Sequence, residues 1–186
     1  MTTTRILDYF SSLMADDESL PLTEAALSLA QDAYPDLDMQ ATLAEIDELV
    51  VRARRRMPDD ASVEHKVDAL NRYFFRELGF SSNLNDYYDP DNSHLNVVLR
   101  RRRGIPISLA VVYLEMAEQL GLPVRGVSFP GHFLLRVATS RWNLTGNPTA
   151  CLTTRACGCC APAMVPPIAP TPASARPSSR ATFRRS

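Results

Sequence analysis

Between Gly104 and Val137 the sequence spells out a helix that has to be enclosed by protein. Gly104 is a breaker, and Pro106 suits the first turn of a helix, where a missing N–H costs nothing. Ile107, Leu109, Ala110, Val111, Val112, Tyr113, Leu114 and Met116 then follow, covering most sides of a helix over 106–120. A helix that is apolar nearly all round is stable only when surrounded, so this segment is expected to be the central element. Gly121 ends it and Pro123 prevents its continuation. Residues 124–129 and 132–137 read as strands, joined by Pro130-Gly131, which fits a type II turn. On the second strand His132, Leu134 and Arg136 share one face, with Phe133, Leu135 and Val137 on the other.

The residues before this unit supply helices to surround it. Helical spacing predicts 4–14 and 22–34, the latter capped by Thr23, with Ala26, Leu29, Ala30 and Ala33 on one face and Pro35 as the stop. Leu43, Ile46, Leu49 and Val50 mark a third helix over 39–56, closed by Arg52, Arg54, Arg55 and Arg56 at the negative end of its dipole. A fourth, over 61–78, has Ser62 as cap, a stripe of Val63, Val67, Leu70, Phe74 and Leu78, and Gly79 as stop; His65 lies off the stripe. After a polar loop over 81–92, Asn92 or Ser93 is expected to cap a short helix over 94–102, with Leu95, Val98 and Leu99 inward. Arg100 to Arg103 end it and Gly104 breaks it.

The charge is divided unevenly. Residues 1–137 hold all 21 acidic residues against 14 basic ones, a net −7, whereas 138–186 hold six arginines and no Asp, Glu or Lys. An acidic body argues against nucleic-acid binding, which needs clustered positive charge on a folded face. No uncharged apolar run approaches the ~20 residues that span a bilayer, and no secretory signal is evident, so a cytoplasmic protein is expected. After Val137 periodicity disappears and proline, alanine, serine and arginine dominate, the composition of a disordered tail. All four cysteines, Cys151, Cys157, Cys159 and Cys160, fall there; their spacing lacks the paired pattern of a structural zinc site, and neither metal nor cofactor is expected.

Chemistry concentrates at the start of the 106–120 helix, because free N–H groups and the dipole there favour negative charge. The only nucleophile in that turn is Ser108. A serine hydroxyl needs an adjacent base, and His132 is the candidate. The plainer reading makes Ser108 a helix cap and His132 a strand-end histidine bonded to backbone. Glu115 and Glu118 read as solvent-facing or ion-paired, and His94 as structural.

Three segments carry a family resemblance: Asp86-Tyr87-Tyr88-Asp89-Pro90-Asp91-Asn92-Ser93-His94-Leu95-Asn96, Arg103-Gly104-Ile105-Pro106-Ile107-Ser108-Leu109, and Phe129-Pro130-Gly131-His132-Phe133. In this order and spacing they strongly resemble the SirB-type bacterial proteins with a transglutaminase-like core, over about 22–137. The resemblance implies a catalytic cysteine at the start of the central helix, a histidine opening a strand, and an aspartate after the next strand. Laid on this chain, the cysteine falls on Pro106 and the histidine on His132. No Asp lies beyond Val137. The family also implies further strands and tetratricopeptide-like helices that serve protein contacts. The abrupt change after Val137 points to truncation or a frameshift, which reading the encoding DNA in its other frames tests.

The sequence therefore predicts an α+β fold, predominantly helical, with a small, incomplete antiparallel sheet. An N-terminal helix occupies 1–21, the incomplete core 22–137 and the tail 138–186. Two functional readings follow. One is a catalytically inactive module acting in protein interaction or regulation, with a protein partner and no nucleic acid, membrane or cofactor. The other is a hydrolase or acyltransferase using Ser108 with His132. The oligomeric state is not encoded in any motif.

Overall fold

The computed structural model describes residues 3–14, 20–129, 132–138 and 151–152, with backbone alone at 3–7, 128–129, 132 and 151–152. Helix α1 (Thr3–Leu13) packs on α2 (Leu22–Ala33), followed by α3 (Met39–Arg54) and α4 (Val63–Asn71). The last runs on into a widened π turn over Arg72–Glu77, in which Leu78 N donates to Tyr73 O. Strand β1 (Ser81–Ser82), a 3-10 turn over Pro90–Ser93, helix α5 (Leu95–Arg101) and strand β2 (Arg103–Gly104) lead into the central helix α6 (Pro106–Gln119). Strands β3 (Val124–Phe129), β4 (His132–Val137) and β5 (Cys151–Leu152) complete the described elements. The architecture is α+β and mostly helical, with a small antiparallel sheet.

Helix α6 is the hub, as its composition requires. It packs against α2, α3, α5, β3 and β4, and Leu109, Ala110, Val112, Tyr113, Met116 and Ala117 are all but inaccessible. Around Tyr113 stand Phe74, edge-on at 5.3 Å, and Phe75; Phe74 in turn stacks on Phe80 at 4.3 Å. Burial raises the pKa of the Tyr113 hydroxyl, with the nearby Asp68 charge adding to the shift, and the hydroxyl donates to Asn71 Oδ1 at 2.9 Å. A buried phenol without such a partner is costly, so this bond fixes how α4 meets α6.

The local signals for α3 and α4 hold. Asp38 and Ser62 cap them, Ile46, Leu49, Val50, Val67 and Leu70 point inward, and Gly79 and Gly121 take the positive φ that ends a helix. In α2 the inward face is different. Thr23, Leu27 and Ala30 are buried together with Ala25 and Ser28, while Leu29 is 47% exposed. Thr23 does not cap that helix: its hydroxyl donates to Glu115 Oε2 on α6 at 2.7 Å. Glu115 also accepts from Gln119, whose amide reaches Asp47 on α3, so Glu115 ties helices together rather than facing solvent alone.

Two connections also depart from expectation. Helix α5 begins at Leu95 with His94 as its cap position and no side-chain cap bond; Asn92 and Ser93 belong to the preceding 3-10 turn. Its end agrees with the expected 94–102, but the stop is Arg102 rather than Gly104, because Arg102 itself adopts a left-handed backbone (φ 56). That conformation costs a non-glycine residue about 1–2 kcal/mol. It is offset by the Arg102 guanidinium, which lies 4.7 Å over the Phe80 ring and pairs with Glu45 at 3.2 Å. The turn frees Arg103–Gly104 to pair in parallel with Ser81–Ser82, inside what the sequence presents as a plain loop.

In the sheet, β3 and β4 pair from Val124↔Val137 to Phe129↔His132, and β5 adds the pairs Leu135↔Leu152 and Arg136↔Cys151. The short third strand falls where the sequence shows no periodicity. The Pro130-Gly131 turn, Cys157, Cys159 and Cys160 lie outside the described residues.

Candidate functional site

The start of α6 is held by a loop that closes back on itself. Asp89 opens the 3-10 turn, its carboxylate accepting from Asp91 N at 3.0 Å. Asn92 is buried and uses its whole side chain: Nδ2 donates to Asp86 O at 2.7 Å and Tyr87 O at 3.1 Å, and Oδ1 accepts from Asn83 Nδ2 at 2.9 Å. Its backbone carbonyl then receives Ile105 N at 3.3 Å and the Ser108 hydroxyl at 2.6 Å. One asparagine therefore joins the loop to the first turn of the central helix.

That geometry decides how Ser108 is used. The hydroxyl is buried, and it carries a single proton, directed at Asn92 O with Ile105 O at 3.0 Å as a second acceptor. A nucleophilic serine must instead present that proton to a base. Ser108 is also the reason for Gly104. A Cβ at residue 104 would lie 2.6 Å from Ser108 Oγ and 3.0 Å from Val98 Cγ2, so only glycine lets the chain pass.

Pro106 is the first residue of α6, with Ile105 in the cap position; among the described residues no side chain caps this end. The position that the family resemblance assigns to a cysteine is therefore at the helix start and holds a ring without a nucleophile. The His132 backbone pairs with Phe129 at the turn end of the β3–β4 hairpin, while its imidazole lies outside the described residues.

A second cluster braces the loop from outside. Arg101 pairs with Asp89 at 3.0 Å and with Asp91 at 2.8 Å, and the Tyr34 hydroxyl at the end of α2 donates to Asp91. The Tyr34 bond, followed by the Arg101 charge, holds the Asp91 carboxyl below its usual range. The same bond raises the Tyr34 hydroxyl above its ordinary value. His94 sits edge-on to Tyr34 at 5.3 Å, while His65 is exposed beside Ser62. Asp91 and Tyr34 carry no signal of their own in a single sequence. Asn92 reads there as a helix cap, and the motif around Asp89-Pro90-Asp91-Asn92 points to it and to Asp91 without giving their roles. Among the described residues no group of three or more His, Cys, Asp or Glu is placed to hold a metal ion.

Residues 40–183, well over half of the chain, match the family model described as the transglutaminase-like superfamily. The chain belongs to that superfamily. The match runs past Val137, where the motif resemblance ends. A UPF0162 protein of Xylella fastidiosa is 45% identical over 144 residues, covering 77% of this chain and 51% of that protein. A UPF0162 protein of Vibrio cholerae is 33% identical over 120 residues, covering 64% and 44% respectively. The F-box only protein 21 of Homo sapiens is 49% identical over 70 residues, 38% of this chain and 11% of that one. The chain thus spans about half the length of the bacterial relatives it matches. No solved structure matches it significantly. Within this transglutaminase-like chain, no described helix is long and apolar enough to cross a membrane.

Proposed function

We propose that this transglutaminase-like chain is a catalytically silent module of the SirB type, acting in the cytoplasm through contact with protein partners and without a cofactor. The observation that carries the reading is the hydrogen bond from Ser108 Oγ to Asn92 O at 2.6 Å. It commits the one nucleophilic side chain of the helix start to holding the backbone together. Two further features support it. Pro106 occupies the turn in which the family resemblance places a cysteine, and the sequence offers no Asp after Val137 to orient a histidine.

An active-site serine probe, a fluorophosphonate, tests the reading on the full chain. The expected result is no labelling above that of the heat-unfolded protein. Stoichiometric labelling that disappears in both Ser108→Ala and His132→Ala, with circular dichroism unchanged, would instead establish the hydrolase or acyltransferase built on that pair.

A further inference from the structure

Arg54, at the end of α3, and Lys66, near the start of α4, stand at one cavity of about 340 Å³, whose other walls include Met57, Pro58 and Leu120. The cavity lies at the far end of α6 from Ser108, since Gln119 and Gly121 also line it and a helix of 14 residues is roughly 20 Å long. Backbone bonds fix where both cations sit. Arg54 Nη2 donates to Gln119 O at 2.7 Å, and Lys66 Nζ donates to Asp59 O at 2.8 Å. Each keeps its other N–H groups for a further partner. Among the described residues neither takes part in an ion pair, whereas the neighbouring Arg52 and Arg56 are matched by Glu48 and Glu77. The arginines that read in the sequence as one solvated helix end are therefore put to different uses.

Capping the helix ends does not account for what the two cations leave over. In the last turn of α3, the carbonyls of Val51, Arg52, Ala53 and Arg54 accept from Arg55 N, Arg56 Nη1, Arg56 N and Met57 N. In that of α6, Met116 O, Ala117 O and Glu118 O accept from Leu120 N, Leu122 N and Gly121 N. With these carbonyls satisfied, side chains set the local charge: two cations against the Asp59 carboxylate, a net +1 along the lining. Asp47 lies with Arg55 on a neighbouring hollow, where its carboxylate accepts from the Gln119 amide.

We propose that this cavity binds a small organic acid, its carboxylate held by Arg54 and Lys66 and its apolar part laid on Met57, Pro58 and Leu120. A guanidinium fork matches a planar carboxylate, and an apolar wall with a few convergent polar groups is how small-ligand sites are built. The net +1 selects a monoanion over a phosphate dianion, which would leave excess negative charge beside Asp59. Such a ligand ties the end of α3, the start of α4 and the end of α6 together. The site does not rest on the interaction reading above.

Isothermal titration calorimetry on the full chain tests the proposal with benzoate, its neutral counterpart benzamide, and inorganic phosphate. Benzoate is expected to bind at a single saturable site, phosphate more weakly, and benzamide not measurably. Lys66→Met and Arg54→Met each remove one charge and should weaken benzoate about fivefold, the scale of one charge-assisted contact at a partly exposed site. Arg55→Gln removes an exposed charge one position along that does not line the cavity, and should leave the affinity nearly unchanged. Circular dichroism checks that each variant is folded. No saturable binding of benzoate, equal binding of benzoate and benzamide, tighter binding of phosphate, or equal losses in Lys66→Met and Arg55→Gln would each overturn the proposal.

Discussion

Ser108 Oγ and the carbonyl of Asn92 meet at 2.6 Å across 16 positions of sequence, joining the loop before α5 to the first turn of α6. The bond holds the Ser108 hydroxyl where a Cβ at residue 104 would meet it at 2.6 Å, so the position takes only glycine. The start of the central helix is therefore a joint made of three residues, each of which fixes the others.

Ser108→Ala should lower the stability of the chain without abolishing the fold. Asn92 O keeps its bond from Ile105 N, so the loss is one buried hydrogen bond, about 1–2 kcal/mol. Urea denaturation followed by circular dichroism measures it. A loss below the error of the fit would show that the bond contributes nothing net.

Gly104→Ala should cost more, on the order of 1–3 kcal/mol, because the new methyl has to displace Ser108 Oγ and Val98, and Val98 is fully buried. Combined with Ser108→Ala the two losses should be less than additive, since removing the hydroxyl relieves the shorter contact. Strict additivity in a double-mutant cycle would contradict this account of the glycine.

Asn92→Ala removes three side-chain bonds and leaves Asp86 O, Tyr87 O and Asn83 with unmet hydrogen-bonding capacity. A loss of about 1–3 kcal/mol is expected, from three part-buried hydrogen bonds broken together. Amide hydrogen exchange should quicken over 83–92 before it does in α4 or α6. Uniform quickening over the whole chain would count against a local role.

The Tyr34–Asp91 contact predicts a pH dependence with two arms. Asp91, held low by the Tyr34 hydroxyl and then by Arg101, contributes stability above its ordinary value of 3.8; that contribution is lost as the pH falls through this value and the lower folded one. Tyr34, held high by the same bond, contributes below its ordinary value of 10.0, and this is lost as the pH rises through the higher folded value. Tyr34→Phe should reduce the alkaline arm, which keeps the Tyr113 and Tyr9 shares, and reduce the acid arm, which keeps the Arg101 share. Thermal melts from acid to alkaline pH follow both, and an unchanged alkaline arm in Tyr34→Phe would exclude the contact as its source.

How far the sequence could be read depended on the range of the interaction concerned. The α4 stripe of Val67, Leu70 and Phe74, the cap Ser62, and the stops at Gly79 and Gly121 depend on neighbours within one or two turns, so the local sequence exposes them. The buried face of α2 differs from the one its spacing suggests because Thr23 finds its partner, Glu115, 92 positions away. Arg102 ends α5 because a ring from residue 80 and a carboxylate from residue 45 wait for its guanidinium. Neither partner is adjacent in sequence.

The sequence by itself determined that an apolar helix over 106–120 would be enclosed, that two strands would follow it, and that its first turn would hold a proline and a serine. Those outcomes follow from burial and backbone sterics, which act locally. Only the tertiary structure decided what the serine does there. A hydroxyl at a helix start serves equally as a nucleophile, a cap or a tie; which of these it becomes depends on the acceptor that folding brings within reach, and here that acceptor is the carbonyl of Asn92.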